Sequence, residues 1–349
     1  MSVRFKESLM RRTPPPAALA LIIAAAVMAL QSLLLPLFAA PAANLGPRDL
    51  PVVVTGPAPA VAAFTARITA ADPDAFEVTE VADAAAADAA VRGREAYAAF
   101  VLGPQGAQLH VASAAAPAVA SLLTVAAQQL GAGGPPVAVT DLAPLPADDP
   151  HGGGFASGFF PLVITSILAA VALFFAVPRF GARIAGLLAF AALSGTIGAT
   201  VLQGWLGVVG GEWLPVAGVI ALITLAISAT VNGLASVAGP RGIGLGAALV
   251  LLVGNALGAV GAAPELLPQP WGQFGQWLPI GAGATLLRSV AWFDGAGGTP
   301  AVWVLSAWAA VGLALVGLGW LGRKEDAPQD APGAEAHEAA RRLGATVAG

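Results

Sequence analysis

Four polar side chains stand inside or beside long apolar runs and are the first candidates for chemistry. They are Gln203, Asn232, Asn255 and Arg288. A polar group in apolar surroundings is costly unless it meets protein or water, so such residues can mark a path for a polar substrate. Hydrogen bonding between packed helices is the alternative role. It applies equally to the hydroxyls in these runs, namely Thr165, Ser166, Ser194, Thr196, Thr200, Ser228 and Thr230.

The residue types that most enzymes use are scarce. The chain has no cysteine, and its three histidines, His110, His151 and His337, are scattered without an HExxH pattern. Its two lysines, Lys6 and Lys324, do not follow a glycine as the phosphate-binding loop of ATPases requires. The sequence therefore predicts no catalytic site, no metal centre and no cofactor, so the chain is not expected to be an enzyme.

One small acidic cluster, Asp148, Asp149 and His151, could bind a hard metal ion. Proline and glycine surround it and provide no rigid frame. A solvated linker is therefore the favoured interpretation.

Glycines four residues apart predict close helix packing in the run over residues 242–261. The two pairs are Gly242 with Gly246 and Gly254 with Gly258. Small residues at this spacing let two helix backbones approach each other in a membrane.

The elements that must position these residues follow from composition. The chain has 349 residues, of which 57% are hydrophobic and 10% charged; soluble domains carry about 25% charged residues. Mean hydropathy is +0.78, and the net charge of −4 argues against nucleic-acid binding. We expect an α-helical integral membrane protein with six transmembrane helices, over residues 17–40, 158–177, 184–206, 213–237, 242–261 and 301–321.

Positive charge predicts the orientation of these helices. Lysine and arginine precede the first run and occupy alternate connections, at Arg4, Lys6, Arg11, Arg12, Arg179, Arg183, Arg241, Arg323 and Lys324. Such residues stay on the cytoplasmic side, so we expect a plasma-membrane protein with the N-terminus (1–16) and the tail (323–349) in the cytoplasm. A signal peptide cleaved after the small residues at 39–40 is the alternative for the first run.

Residues 41–155 predict an α/β domain, exterior to the membrane and inserted between helices 1 and 2. Short apolar runs alternate there with amphipathic Ala-rich stretches, in the order β-α-β-α-β-β-α-β. Gly93 is expected to end the helix over residues 83–92.

The five-helix domain (156–322) contains an unusual segment at 271–294. Trp271, Trp277 and Trp292 favour an interfacial or re-entrant helix on the exterior side, and a plain loop is the alternative. Arg288 is then expected at headgroup depth, or paired with a carboxylate such as Glu212 or Glu265.

This layout resembles the ABC-2-type exporter permeases, and within them the Pip/YhgE-like branch. The resemblance rests on the one-plus-five arrangement of helices around an exterior domain. It also rests on the acidic helix followed by the stretch 93–101 (GREAYAAFV), and on the stretches 276–279 and 293–295 before the last helix.

The resemblance implies a membrane subunit that pairs with a second copy or permease and exports a substrate with a separate ATP-binding-cassette ATPase. The N-terminal segment (1–13) and the loop at 178–183 are shorter than those with which such permeases usually dock their ATPase. A non-transporting envelope protein whose exterior domain binds a partner, as a scaffold or phage receptor does, is therefore the alternative.

Overall fold

The computed structural model describes residues 15–104, 106–131 and 137–325. The basic residues before position 15, His337 and most of the predicted tail lie outside the described residues. The elements are α1 (Pro16–Ala43), β1 (Leu50–Thr55), α2 (Ala58–Ala71), β2 (Phe76–Glu80), α3 (Ala84–Arg92), β3 (Ala98–Gly103), β4 (Gly106–Val111), α4 (Pro117–Gly131), β5 (Ala138–Asp141), α5 (Gly153–Ala176), α6 (Phe180–Ala199), α7 (Trp213–Ala238), α8 (Pro240–Ala247), α9 (Asn255–Leu257), α10 (Trp271–Gln276), α11 (Pro279–Trp292) and α12 (Thr299–Glu325). Two π-helical segments, Thr200–Trp205 and Ala248–Gly254, extend α6 and join α8 to α9.

Six helical stretches in the described part of the chain are long and apolar enough to cross a bilayer. They are Pro16–Pro41, Gly153–Ala176, Phe180–Trp205, Trp213–Ala238, Pro240–Leu257 and Thr299–Gly322. Each overlaps one of the predicted runs, because some 20 apolar residues are needed to span the hydrocarbon core. Their number and apolarity indicate a multi-pass membrane protein.

A five-stranded sheet with its helices, the α/β unit, lies between the first and second of these stretches in the sequence. The strand order is β2-β1-β3-β4-β5, and every neighbouring pair is parallel except β3 with β4. Val52 and Val54 pack with α2 and α4 on one face, and Val53 packs with α3 on the other. Burial on both faces explains the unbroken apolar run of β1. The element order is the predicted one.

Helix α7 lies at the centre of the remaining helices, the helical unit. It packs against α5, α6, α8, α11 and α12. Within its most apolar stretch of 18 residues, 67% of the residues are buried. Helix α1 differs, because its apolar side chains are exposed along its length and its main contact is with α9. A bilayer or another protein must cover that surface.

The segment before α12 is helical, so the plain-loop alternative is wrong. Helices α10 and α11 form a hairpin, and most of α11 is buried in the helical unit. Trp308 Nε1 donates a hydrogen bond to Trp277 O at 2.8 Å, at the bend of the hairpin. Trp308 is nine residues into α12, or about 14 Å along its axis. The bend of the hairpin therefore lies well along α12 and not at its first residue.

Asp149 corrects the expectation of a solvated linker. Its side chain is buried, and its Oδ2 accepts a hydrogen bond from Phe155 N at 2.9 Å. A carboxylate in this place accepts a hydrogen bond from an otherwise unpaired N–H group at the start of α5. Its negative charge also interacts favourably with the positive end of the helix dipole. Asp148 and His151 are exposed.

Two connections of the helical unit insert into the α/β unit. Ala263 and Leu266 belong to the core beneath α2 and α4, and Phe293 belongs to the core beneath α3. Arg48 Nη1 also donates a hydrogen bond to Leu266 O at 2.9 Å. The α/β unit is thus held on the helical unit through both faces of its sheet.

Candidate functional site

A polar cavity lies where the α/β unit meets the helical unit, and we call it the junction cavity. Its volume is about 220 Å³, and the polar side chains lining it are Arg94, Tyr97, Glu265, Gln276, Thr285 and Arg288. Larger grooves along α1 and α12 are lined almost wholly by apolar side chains and offer little polar chemistry.

Arg94 takes its place through an unusual backbone conformation after α3. Glu95 N donates to Ala90 O at 2.9 Å and Arg94 N donates to Val91 O at 3.1 Å, the pair of bonds that defines a Schellman C-cap. The left-handed position of this motif is usually glycine, yet it is Arg94 here, with φ of 60°. Gly93 is the C-cap residue of α3, as predicted, and is right-handed at φ −74°. Left-handed backbone costs a non-glycine residue roughly 1–2 kcal/mol.

This conformation directs the Arg94 side chain onto the helical unit. Its Nη1 donates a hydrogen bond to Thr285 O at 2.9 Å, and its guanidinium lies 5.4 Å from the centre of the Phe293 ring. Gly297 lies alongside, and a Cβ built there would be 3.2 Å from Arg94 Cβ. Arg94 therefore links α3 to both α11 and the turn before α12.

Tyr97 and Glu265 form a second link across the junction. Tyr97 Oη donates a hydrogen bond to Glu265 Oε2 at 2.8 Å, and both residues are half-buried. Burial raises the pKa of the Tyr97 phenol, and the Glu265 charge raises it further. Burial lowers the pKa of the Arg94 guanidinium, while Tyr97 and Glu265 oppose that shift. The hydroxyl therefore stays protonated as the donor.

Arg288 is buried at the floor of the cavity, with 4% of its surface exposed. Its Nη2 donates a hydrogen bond to Val260 O, and its guanidinium lies 4.5 Å from the centre of the Phe155 ring. The guanidinium is therefore enclosed by protein, contrary to the expected exposure at a lipid surface. Its contacts come from α5 and the connection after α9, because α11 is packed into the helical unit instead of lying on its surface.

The other predicted polar residues lie away from this cavity. Asn232 is buried in α7, and its Nδ2 donates to Ala170 O in α5 at 2.8 Å. Gln203 Nε2 donates to Gly210 O at 2.7 Å and holds the turn before α7. Asn255 is exposed. The Oδ1 of Asn232 and the Oε1 of Gln203 are buried without a hydrogen-bond partner among the described residues.

Most of the predicted hydroxyls bond to their own helices. The side chains of Thr165, Ser166, Thr196, Thr200 and Thr230 donate to the carbonyl four residues earlier. These bonds leave little donor capacity for a neighbouring helix or a substrate.

The four predicted packing glycines are buried at contacts within the chain. A Cβ at Gly242 would lie 2.0 Å from Leu234 O, and one at Gly246 would lie 3.1 Å from Val231 Cα, both in α7. A Cβ at Gly254 or Gly258 would lie 3.3 or 2.9 Å from the Ile280 side chain in α11. The first half of the fifth candidate span, at Gly242 and Gly246, therefore packs closely against α7. Its second half, at Gly254, and the residue that follows the span, Gly258, pack against α11.

Metal ligands are not clustered in the part of the chain that the structure describes, where no group of three or more His, Asp or Glu side chains is positioned to hold an ion. His110 lies in β4, and its Nδ1 is 2.5 Å from Asp88 Oδ1 on α3. This pair joins a strand to a helix of the α/β unit.

Comparisons with known proteins return no match. No family model, no curated protein and no solved structure is significantly similar to this chain. Its function must therefore be argued from its own residues.

Sequence reasoning found Arg288 and named Glu265 as a possible partner, but it missed Arg94 and Tyr97 as site residues. The available signal was weak. Tyr97 is the chain's one tyrosine, and Arg94 follows the glycine that was expected to end α3. Nothing in that spacing indicates which part of the chain the two side chains meet.

Proposed function

We propose that this protein is the permease subunit of an ABC-2-type exporter in the plasma membrane. The observation that carries the proposal is the junction cavity, a polar and partly charged space at one end of a bundle of membrane-length helices. Ionisable groups in such a place are expensive, and they tend to mark the route of a polar substrate.

The proposed orientation places the α/β unit outside the cell. Arg179, Arg183 and Arg241 follow the ends of α5 and α7 that are remote from the α/β unit. Arg323 and Lys324 close α12 at the same end. Positive residues favour the cytoplasmic side, so the junction cavity becomes the exterior mouth of the route.

A topology measurement tests this orientation. We expect an alkaline-phosphatase fusion at Ala107 to be active and a fluorescent-protein fusion at Arg179 to fluoresce. The matched control exchanges the two reporters, which should silence both. An active phosphatase at Arg179 together with an inactive one at Ala107 would show that the membrane orientation is the opposite one and would overturn the proposal.

Energy for export must come from another chain under this proposal. Neither lysine stands in a phosphate-binding loop. Helix α1 supports pairing with a second permease or a second copy. Its apolar side chains are exposed along its length, and the amide of Gln31 lies exposed among them in the middle of the helix. An amide in a membrane helix favours association with another helix.

Purification from the native membrane tests the partner. We expect the tagged full-length chain, isolated in mild detergent, to retain an ATP-binding-cassette ATPase in near-stoichiometric amount and to show ATP hydrolysis. An equally expressed, equally tagged unrelated six-span protein is the control. Purification of an intact, stable complex that contains no nucleotide-binding subunit would contradict an ABC exporter.

A partner-binding envelope protein is the second candidate. A groove of about 580 Å³ on the α/β unit, next to α4 and β5, favours it. The groove includes Val125 and Val139, which are 49% and 39% exposed, and β5 is an edge strand. Loss of partner binding on deletion of the α/β unit, with no ATPase in the complex, would select this alternative.

A further inference from the structure

The junction cavity has an unbalanced positive charge. Its lining contains two guanidiniums, Arg94 and Arg288, and one carboxylate, Glu265. Tyr97 is neutral and donates its hydrogen to that carboxylate. A buried charge without a counter-charge is strongly unfavourable, so a cavity with a net charge of +1 calls for an anion.

Both guanidiniums have donors left for such an anion. A guanidinium carries five N–H donors in a planar fork. Among the described residues, Arg288 gives one hydrogen bond, to Val260 O, and Arg94 gives one, to Thr285 O. The guanidinium carbons of Arg94 and Arg288 lie over the Phe293 and Phe155 rings, which take none of the remaining N–H donors as conventional hydrogen-bond acceptors.

The strained backbone of Arg94 adds an independent reason. A glycine would satisfy the left-handed position at less cost, yet the residue there is one whose side chain reaches the cavity. Strain of this kind persists where the surrounding structure requires a side chain in that place.

We infer that the junction cavity binds a phosphate group between Arg94 and Arg288. Guanidiniums bind phosphate through paired hydrogen bonds, and a tetrahedral anion can accept from two guanidiniums at once. A phosphodiester carries one negative charge, which matches the excess charge of the lining. The volume of about 220 Å³ holds a phosphate group with several waters.

Two sources can supply this chemistry, a free phosphate compound or a phospholipid headgroup. The lipid source is supported by α10, where Gln276 lines the cavity and the neighbouring Trp277 lines an apolar groove with Trp303 and Trp308. The inference deepens the proposed function. It rests on that function only in placing the cavity along an export route, while phosphate binding itself does not depend on export.

Binding is measured on the purified full-length chain, without an ATPase or transport. In one arm, sodium phosphate is titrated against sodium chloride at matched ionic strength, and the melting temperature is followed. In the other arm, native mass spectrometry records phosphatidylglycerol bound to the protein after release from nanodiscs. A rise in melting temperature identifies a free phosphate compound as sufficient, and retained lipid alone identifies the headgroup.

Substitutions assign the binding to the cavity. We expect Arg288→Gln and Arg94→Gln each to weaken it by about tenfold or more, since a charge-assisted hydrogen bond is lost. Arg67→Gln, at an exposed site on α2 of the same unit, is the matched control and should bind as the wild type does.

Two results overturn the inference: no binding in either arm, or equal binding by the wild type and both glutamine variants. If Arg288→Gln fails to fold, Arg94→Lys replaces it, because a lysine keeps the charge but loses the paired geometry. Failure here with an ATPase still bound would reject the phosphate site and leave the exporter proposal standing.

Discussion

Gly233→Leu is expected to abolish the packing of α7 against α12. A Cβ at Gly233 would lie 2.4 Å from Gly312 O and 2.8 Å from Leu315 Cβ. A Cβ at Gly312 would lie 2.5 Å from Thr230 N. The two glycines therefore face each other where the backbones of the central helix and the last helix cross, and no side chain fits between them.

The expected cost grows with the size of the side chain. Gly233→Ala should lower the free energy of unfolding by about 1–3 kcal/mol, the usual penalty for overpacking. Gly233→Leu should prevent recovery of a monodisperse protein. Thermal unfolding in detergent, followed by tryptophan fluorescence, and size-exclusion chromatography measure these effects.

Gly218→Ala provides the control within the same helix. Gly218 lies in α7, and apart from its chain neighbours and the backbone of its own helix, no described atom stands within 4 Å of a Cβ built there. This substitution should leave the melting temperature unchanged or raise it, since alanine favours helix over glycine by about 1 kcal/mol. A normal melting temperature for Gly233→Leu would show that the two helices do not cross at these glycines.

Arg183→Met is expected to destabilise the protein by about 2–4 kcal/mol, because it leaves buried acceptors without a donor. Arg183 is buried, with 4% of its surface exposed. Its Nε donates to Val177 O at 3.0 Å and its Nη2 to Phe174 O at 3.2 Å, at the end of α5. Its Nη1 donates to Ser236 Oγ in α7 at 3.2 Å. A cation here also complements the negative end of the α5 dipole.

Arg183→Lys should recover only part of the loss, because an ammonium group on a single stem cannot reach acceptors on both α5 and α7. Arg179→Met, four residues earlier and exposed, is the matched control and should stay within about 0.5 kcal/mol of the wild type. Denaturant unfolding in mixed micelles measures all three variants. Equal stability of Arg183→Met and Arg179→Met would contradict the capping role.

The sequence was sufficient for features that depend on local pattern. Six apolar stretches of membrane length could be located because each helix satisfies its own backbone hydrogen bonds and needs only enough apolar residues in succession. The strands and helices of the α/β unit followed from the alternation of short apolar runs with amphipathic stretches.

Tertiary structure decided which polar groups meet. Arg94 and Thr285 are 191 positions apart, and Tyr97 and Glu265 are 168 positions apart. Their contacts depend on how the α/β unit packs on the α10–α11 hairpin. The spacing of apolar residues within each segment carries no information about that packing. The left-handed conformation of Arg94 belongs to the same class, because α3 ends at Gly93 as predicted while the left-handed residue after it is an arginine instead of the usual glycine.

Burial was likewise set by packing between distant segments. The chain around Asp149 is rich in proline and glycine and suggested solvent, yet the carboxylate is buried as a cap for α5. Arg288 suggested a membrane surface, yet α11 is packed into the helical unit and Val260 and Phe155 enclose the guanidinium. Sequence alone determined the six membrane-length apolar helices and the order of strands and helices in the α/β unit, since these depend on neighbouring residues. Only the tertiary structure determined the polar cavity, because the side chains that line it come from segments far apart in the chain.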